Sequence, residues 1–399
     1  MTAVITKPDT EQKLDILSTD AQYDLACACG TRSPAEHRRR GPHGRWIYPV
    51  TLPNGGTSLL FKTLLSNACT NDCLYCPLRE QSDVPRCTLG IDETARTFLD
   101  YHRRGECFGL FLSSGVIASP DATMHRLNGV ARRLRTRYGF KGYIHLKVIP
   151  GASDAAIEEA VSLSSAVSLN IETPGPQYLS RLSDRKDFLN DIIRPIKLIS
   201  RLTGKGMRHS RVKQTTQFIV GAAGEPDSDI VRYMGPLYRR LNLQRIYFSA
   251  YQHNLGQLPP SADRARRATQ QDSPPPQGRL FDDLPDHKSA DHFMREHRLY
   301  QVDFLMRKYG FTDSEIIFDG NGQLSLDTDP KEIWAQNHPE YFPVDVNRAS
   351  KDELLRVPGL GPITVQKILE ARRKARLNRI EDLAKPGPLT RKAKNYLKF

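Results

Sequence analysis

Three cysteines, Cys69, Cys73 and Cys76, lie close together in the chain with the spacing C-x3-C-x2-C. They follow an apolar run over residues 58–65 that predicts a buried strand. Three thiolates on one short loop can hold an iron–sulfur cluster and leave one iron without a protein ligand. An electron-transfer cluster normally takes four cysteines, so an open iron favours the binding of a further ligand. The alternative is a structural zinc site, although zinc sites usually pair C-x2-C sequences and need a fourth ligand.

The cysteine loop, with Tyr75 directly before Cys76, resembles that of the radical S-adenosylmethionine (SAM) superfamily. The resemblance implies a [4Fe-4S] cluster whose open iron binds the amino and carboxylate groups of SAM. It also implies that SAM is cleaved to methionine and a 5′-deoxyadenosyl radical, which abstracts a hydrogen from the substrate. An electron donor such as flavodoxin or ferredoxin would then be a partner.

Composition limits the other classes of protein. A chain of 399 residues can form one large domain with small additions. No apolar run is long enough to span a membrane, so no membrane partner is expected. The N-terminus lacks the apolar core of a secretory signal. Seven cysteines in a chain of this length do not suggest a disulfide framework, which predicts a reducing, cytoplasmic location.

The charge of the chain is strongly basic and unevenly distributed. The net charge is +13, and residues 344–399 hold 14 Lys and Arg against 6 Asp and Glu. This segment therefore contributes 14 − 6 = 8 of the 13 excess positive charges. Such a concentration favours a polyanionic partner.

Short apolar runs alternate with amphipathic stretches from residue 58 to about residue 250. The strands are predicted over 58–65, 108–113, 143–149, 166–171, 214–220 and 245–250. The helices between them are predicted over 92–104, 121–137, 153–163, 187–203 and 227–240. This alternation predicts an α/β fold with a parallel sheet. Six such units fit the partial (βα)6 barrel that the resemblance implies, with the cysteine loop at the carboxyl end of the first strand.

The predicted organisation has four parts. They are an N-terminal extension over 1–57, a radical SAM core over 58–320, a linker over 321–343 and a small all-α nucleic-acid-binding domain over 344–399. Within the core, residues 256–290 are polar and rich in proline, which is typical of a disordered insertion. A further helix with an apolar stripe is predicted over 291–308.

The resemblance assigns SAM contacts near the ends of the first two strands. Tyr75 would contact the adenine, or would simply pack against the cysteine loop. Ser113, Ser114 and Gly115 stand where the family has a Gly-Gly-Glu-like turn that receives the SAM amino group. This sequence lacks the acid there, although backbone carbonyls could accept the same hydrogen bonds. An ordinary turn after a strand is the alternative.

The third and fourth strands carry polar residues in alternation, which places them on one face. Asn170 and Glu172 share a face of the fourth strand, and a carboxylate in an interior needs a partner. By resemblance, Glu172 would hold the ribose hydroxyls of SAM, with Asn170 nearby. Lys147 would pair with the SAM carboxylate. The alternative for Glu172 is a salt bridge to Lys147 or to another basic neighbour. His145 could contact the substrate or the cluster, or it could be a satisfied core histidine.

The fifth and sixth strands add weaker candidates. Gly221 belongs to a glycine turn that resembles the G-x-I-x-G-x-x-G-E segment of the family, where the backbone contacts adenine. Tyr251 follows the sixth strand and is a candidate contact for adenine or substrate. The remaining cysteines, which are Cys27, Cys29, Cys87 and Cys107, are interpreted as unligated.

The C-terminal domain contains a sharper pattern. Ser350 and Glu353 form a predicted capping box, and the turn Pro358-Gly359-Leu360-Gly361 precedes Pro362 at a predicted helix start. This resembles a helix-hairpin-helix motif that binds DNA. The resemblance predicts phosphate contacts from the following residues: Gly359, Gly361, Thr364, Lys367, Arg372 and Arg373. The alternative is a helical hairpin that contacts protein.

The two resemblances together fit the bacterial family described as DNA modification or repair radical SAM proteins. The segments Tyr143–Lys147 and His297–Gln301 support this resemblance. It implies hydrogen abstraction from a nucleic acid, with DNA favoured. The alternatives are a radical SAM enzyme that modifies RNA such as tRNA, and a DNA-binding iron–sulfur protein that only senses redox state.

Overall fold

The computed structural model describes residues 8–21, 46–51, 56–252, 287–382 and 387–399. Cys27, Cys29 and most of the predicted insertion over 256–290 lie outside these residues. The chain forms two compact units. Of the described residues, the first unit comprises those up to Glu225 together with 237–252 and 287–293, and the second unit comprises 226–236 and those from Met294 onward.

The first unit is built on one sheet of seven strands, which follow the order of the chain. The strands are β1 (Ile47–Thr51), β2 (Thr57–Leu64), β3 (Gly109–Ser113), β4 (Tyr143–Lys147), β5 (Ala166–Ser168), β6 (Lys213–Val220) and β7 (Arg245–Ala250). Strands β2 to β7 are parallel, whereas β1 pairs antiparallel with β2. The six parallel strands confirm the predicted partial barrel.

Helices alternate with these strands. They are α1 (Thr10–Asp20), α2 (Ile91–Arg103), α3 (Pro120–Arg132), α4 (Asp154–Leu163), α5 (Pro176–Leu179), α6 (Arg194–Leu202), α7 (Asp227–Leu241) and α8 (His287–Lys308). The positions at which the helices begin follow from the local sequence. Ser119 and Ser153 accept hydrogen bonds from the first turns of α3 and α4, as N-cap residues do. No helix within the described residues is long and apolar enough to span a membrane.

Two predicted helices contain a wider π-helical segment. Residues Arg133–Arg137 extend α3, and Phe188–Ile193 precede α6. The second segment has a physical cause. Pro195 has no backbone N–H to donate to the preceding turn, so regular α-helical bonding cannot continue through that position.

The second unit is mainly helical. Besides parts of α7 and α8, it contains α9 (Pro330–Asn337), α10 (Lys351–Arg356), α11 (Pro362–Ala371) and α12 (Pro388–Lys394). Ser350 and Glu353 form the predicted capping box at α10, and Pro362 is the first residue of α11. The helical hairpin predicted within residues 344–399 is therefore present. In addition, β8 (Val344–Asp345) pairs in parallel with β9 (Leu397–Lys398), a feature that the sequence did not indicate.

Candidate active site and nucleic-acid interface

A cavity opens at the carboxyl ends of the parallel strands in the first unit. Most of the residues predicted to bind the cluster and SAM line it. These are Cys69, Cys73, Tyr75, Cys76, Ser113, Ser114, Gly115, Lys147, Asn170, Glu172 and Tyr251. Residues from five strands and their loops thus converge at one edge of the sheet, where parallel barrels place their chemistry.

Backbone hydrogen bonds fix the cysteine loop to its neighbours. The N–H of Thr70 donates to the carbonyl of Val116 at 3.0 Å, and the N–H of Leu74 donates to the carbonyl of Leu182 at 2.8 Å. The loop is therefore held by the segment that follows β3 and by the one that follows α5. Gly115 permits the first of these approaches, because a Cβ atom there would lie 2.3 Å from the Ala68 carbonyl oxygen.

Arg86 stabilises the same loop through hydrogen bonds to its backbone. Its guanidinium donates to the backbone carbonyls of Asn67, Leu78, Arg79 and Ser82. Sequence reasoning missed this residue. A single arginine outside any motif gives no signal that it will hold four carbonyls of one loop.

Burial raises the pKa of two of the three thiols. Cys73 is buried, and burial raises the pKa of its thiol. Burial also raises the pKa of Cys76 to about 12, with further contributions from Cys73 and Cys69. Coordination to iron reverses this preference, because a metal-bound thiol is deprotonated. Cys69, Cys73 and Cys76 all line one cavity, which is the arrangement that a shared metal cluster requires.

The zinc alternative requires ligands that converge on one ion. Within the described part of the chain, no group of three or more His, Cys, Asp and Glu side chains is arranged to hold a single metal ion. A cluster does not need such convergence, since each thiolate binds a different iron. The arrangement of Cys69, Cys73 and Cys76 around the cavity is compatible with that requirement.

Glu172 occupies an unusual backbone position beside the cysteines. Its φ is +64°, in the left-handed region, and only 6% of the residue is exposed. The backbone is held there by β6, because its N–H donates to Gln217 at 3.0 Å and its carbonyl accepts from Ile219 at 2.8 Å. A strained, buried carboxylate at a cavity wall is a frequent feature of binding sites.

Lys186 joins the carboxylate to the cysteine loop. Its ammonium donates to the Tyr75 hydroxyl at 3.2 Å. Burial lowers the pKa of Lys186, but Cys73 and Glu172 outweigh it and the pKa is raised overall. The lysine is thus a fixed cation between the thiols and the carboxylate. It follows the short α5 in a polar segment, where its sequence is indistinguishable from that of a solvent-exposed loop.

The remaining predicted residues are more varied in position. Gly221 is not among the residues that line the cavity, and its N–H donates to the buried Glu225 carboxylate. Ile219, two residues earlier, does line it. His145 is buried, with Nε2 3.0 Å from the Ser168 hydroxyl and its ring 4.5 Å from that of Phe111. The interpretation of His145 as a core histidine is supported.

The helix-hairpin-helix candidates lie in the second unit and divide into two groups. Lys367 and Arg373 are exposed on and just after α11, and Gly361 is the N-cap of that helix. The half-buried Thr364 lies in its first turn, where backbone amides lack helical partners. These four remain candidates for phosphate contact.

Two predicted phosphate contacts also have structural roles. The guanidinium of Arg372 donates to the carbonyls of Ala349 at 2.6 Å and Val346 at 3.2 Å, which ties α11 to the segment before α10. Gly359 has φ +88°, and a Cβ atom there would lie 2.2 Å from the Leu389 carbonyl oxygen. Its missing side chain admits the backbone of α12.

A buried lysine supports the hairpin turn. Lys331, at 6% exposure, donates from Nζ to the Leu360 carbonyl at 2.7 Å and lies 4.5 Å from the centre of the Tyr309 ring. Burial lowers its pKa to about 7, although Asp329 acts in the opposite direction and Arg356 in the same one. No motif identifies this lysine in the sequence.

The pKa of Lys331 predicts a pH-dependent stability. In the unfolded chain a lysine titrates near 10.4, so between pH 7 and about 10 the unfolded state binds more protons than the folded state. The free energy of unfolding should therefore rise with pH in this window, by at most about 1.4 kcal/mol per pH unit. We expect Lys331→Met to flatten the rise in urea unfolding experiments. Lys367→Met, which removes an exposed lysine of the same unit, should leave it unchanged, and an equally steep rise in both variants would contradict the assignment.

Comparison with known families agrees with this geometry. Residues 63–235 match the radical SAM superfamily, and residues 341–395 match the helix-hairpin-helix motif. The chain thus carries a radical SAM enzyme domain and, near its C-terminus, a helix-hairpin-helix motif. The radical SAM superfamily uses a [4Fe-4S] cluster and SAM, which confirms the predicted cofactors. No curated protein sequence matches the chain.

Several solved structures show partial similarity to the chain. The FeFe-hydrogenase maturase HydG from Carboxydothermus hydrogenoformans is 13% identical with a TM-score of 0.42, over 84% of this chain and 76% of HydG. Methylornithine synthase (PylB) is 13% identical with a TM-score of 0.40, over 50% of this chain and 56% of PylB. The radical SAM methyltransferase TsrM from Kitasatospora setae, solved with tryptophan and a SAM analogue, is 14% identical with a TM-score of 0.37, over 48% of this chain and 35% of TsrM. Similarity at this level does not extend to the substrate.

Proposed function

We propose that this enzyme acts by hydrogen abstraction on a nucleic acid, with DNA favoured, in a modification or repair reaction. The observation that carries the proposal is the helix-hairpin-helix motif. Its helix α11 begins at Pro362 after the N-cap Gly361, and the next amides of its first turn lack helical partners. Exposed cations follow the helix, including Arg373, Lys374 and Arg376. Helix N-termini and basic side chains both favour phosphate, and they bind without reading sequence.

The cluster and SAM, when bound, supply a 5′-deoxyadenosyl radical that abstracts a hydrogen atom. The protein residues bind and orient these groups. Cys69, Cys73 and Cys76 hold the cluster, while Glu172 and Asn170 are proposed to bind the ribose of SAM. A base or sugar of duplex DNA would have to leave the stack to reach the cavity.

The proposal has a direct test. The protein, reconstituted with iron and sulfide without oxygen, is supplied with SAM, reductant and either duplex DNA or tRNA in competition. We expect 5′-deoxyadenosine to form faster when DNA is present, and DNA binding to weaken as salt rises. Faster cleavage with tRNA would favour the RNA-modifying alternative. SAM binding without cleavage under strong reductant would reject catalysis, and no SAM binding at all would favour the redox sensor.

Glu172→Gln tests the proposed SAM contact. The substitution keeps the shape of the side chain and removes its negative charge. A ribose hydroxyl would then no longer donate to a charged carboxylate. Hydrogen bonds to a charged group contribute about 1.5–3 kcal/mol, so we expect SAM affinity to fall by about 10- to 100-fold in calorimetry. Iron content should be unchanged, since the cysteines remain.

The matched control is Glu159→Gln, which removes a carboxylate on the outer helix α4 that pairs with Arg132. It should leave SAM affinity unchanged. If Glu172→Gln binds SAM as well as the original protein does, the contact is not made by that carboxylate.

A further inference from the structure

An acid-free segment of the first unit surrounds the start of β6. Between Asp191 and Glu225 the chain contains no Asp or Glu but seven Lys and Arg residues. These are Arg194, Lys197, Arg201, Lys205, Arg208, Arg211 and Lys213. A run of charged residues is commonly just a solvent-exposed face. The exposure and the ion pairs of these side chains indicate whether the segment could also bind a partner.

The cations of the α6–β6 loop, residues 203–212, are exposed and have no acidic partner. Lys205, Arg208 and Arg211 all lie at the surface. Within the described part of the chain, none of the three forms an ion pair; Arg194, on α6, does so with Asp154. Elsewhere on this unit, surface arginines such as Arg132 and Arg185 are paired with glutamates. The loop is therefore an uncompensated positive surface.

The loop backbone is ordered by consecutive tight turns. The N–H of Met207 donates to Gly204 at 3.0 Å, and that of Ser210 donates to Met207 at 3.1 Å. The N–H of Val212 then donates to His209 at 2.9 Å. The positive charges thus project from a defined backbone, which lowers the entropy lost when a partner binds.

Stabilisation of α6 does not explain these charges. Arg201, in the last turn of α6, interacts favourably with the helix dipole. That effect fades beyond the last turn, whereas Lys205, Arg208 and Arg211 lie three to nine residues past the end of the helix at Leu202. The positive charges of these three residues repel one another, and a bound polyanion would relieve this repulsion.

We propose that the α6–β6 loop is a second docking surface for nucleic-acid phosphates, separate from the helix-hairpin-helix motif. The loop leads into the amino end of β6, and the cavity lies at the carboxyl ends of the same sheet. An eight-residue strand spans about 25 Å, so a nucleic acid that contacts both ends of the sheet must be long. An acidic electron donor fits less well, since it has to approach the cysteine loop at the other end.

This inference rests on the proposed function, and its test separates the two. Binding of a fluorescent DNA duplex several helical turns long is measured across a salt series for the full-length protein. The loop variant is Arg208→Gln with Arg211→Gln. Its matched control, Arg96→Gln with Arg126→Gln, removes the same charge from exposed positions on α2 and α3. The tail variant is Lys367→Gln with Arg373→Gln.

Log affinity falls with log salt, and we expect this negative slope to become shallower in the loop variant. The change should be about 0.9 for each phosphate that the loop no longer neutralises. The control variant should leave the slope nearly unchanged. A loop variant that binds like the control overturns the inference, while weaker binding in the tail variant alone still supports the proposed function. Weaker binding in the loop variant but not in the tail variant supports the inference and removes the role of the motif. If the loop variant loses affinity for anionic lipid vesicles but not for DNA, the surface is a membrane contact and the inference is overturned.

Discussion

Cys73→Ser should abolish the binding of the cluster and the cleavage of SAM. Cys73 is buried within the cysteine loop and lines the cavity together with Cys69 and Cys76. A serine hydroxyl is a poor ligand for iron, and a cluster held by only two thiolates loses a third of its protein bonds. After anaerobic reconstitution, we expect iron content to fall to background. Formation of 5′-deoxyadenosine under strong reductant should fall with it.

Cys107→Ser is the matched control for this prediction. Cys107 is also buried, and burial raises the pKa of its thiol to about 12, but it precedes β3 and is not among the residues that line the cavity. Its substitution should keep the full iron content and the full rate of SAM cleavage. Equal loss in both variants would indicate a folding defect. Full activity in Cys73→Ser, or zinc in the purified protein, would contradict the cluster assignment.

The sheet could be predicted from sequence because its signals are local. Strands β2 to β7 coincide closely with apolar runs that are too short for helices and are separated by amphipathic stretches. Strand β1 was not predicted, since it contains Pro49, which is tolerated at the edge of a sheet but weakens the local strand pattern. Position at an edge alone does not explain the miss, because β7 lies at the other edge and was predicted.

The site was predictable only where chemistry and spacing coincide. The cysteines are identified by their spacing. Glu172 was predicted from an alternation of polar residues along a strand over 166–171, and this premise was wrong, because β5 ends at Ser168 and Glu172 lies beyond it with φ +64°. Arg86 and Lys186 were not predictable, because each acts through contacts between segments that are distant in the chain. The same reason explains Gly359. A glycine in a hairpin turn suggests phosphate contact, whereas the partner it admits is the backbone of α12, about 30 residues later.

That contact predicts a large effect for Gly359→Ala. The residue has φ +88°, which costs an alanine about 1–3 kcal/mol, and the added Cβ would lie 2.2 Å from the Leu389 carbonyl oxygen. The opposing atom is backbone, so α12 must move to make room. We expect the second unit to lose several kcal/mol of stability in urea unfolding, and DNA affinity to fall by at least about tenfold. SAM cleavage without DNA should be retained.

Gly310→Ala separates the clash from the backbone strain. Gly310 belongs to the same unit and has φ +75°, but a Cβ atom there would meet nothing within 4 Å. The control therefore carries the conformational cost alone and should lose only about 1–3 kcal/mol, with DNA affinity close to that of the original protein. Similar losses in the two variants would mean that the close approach of α12 to the hairpin turn does not stabilise the unit. Greater loss in Gly359→Ala, with iron content intact, would show that this packing maintains the surface on which α11 meets phosphate.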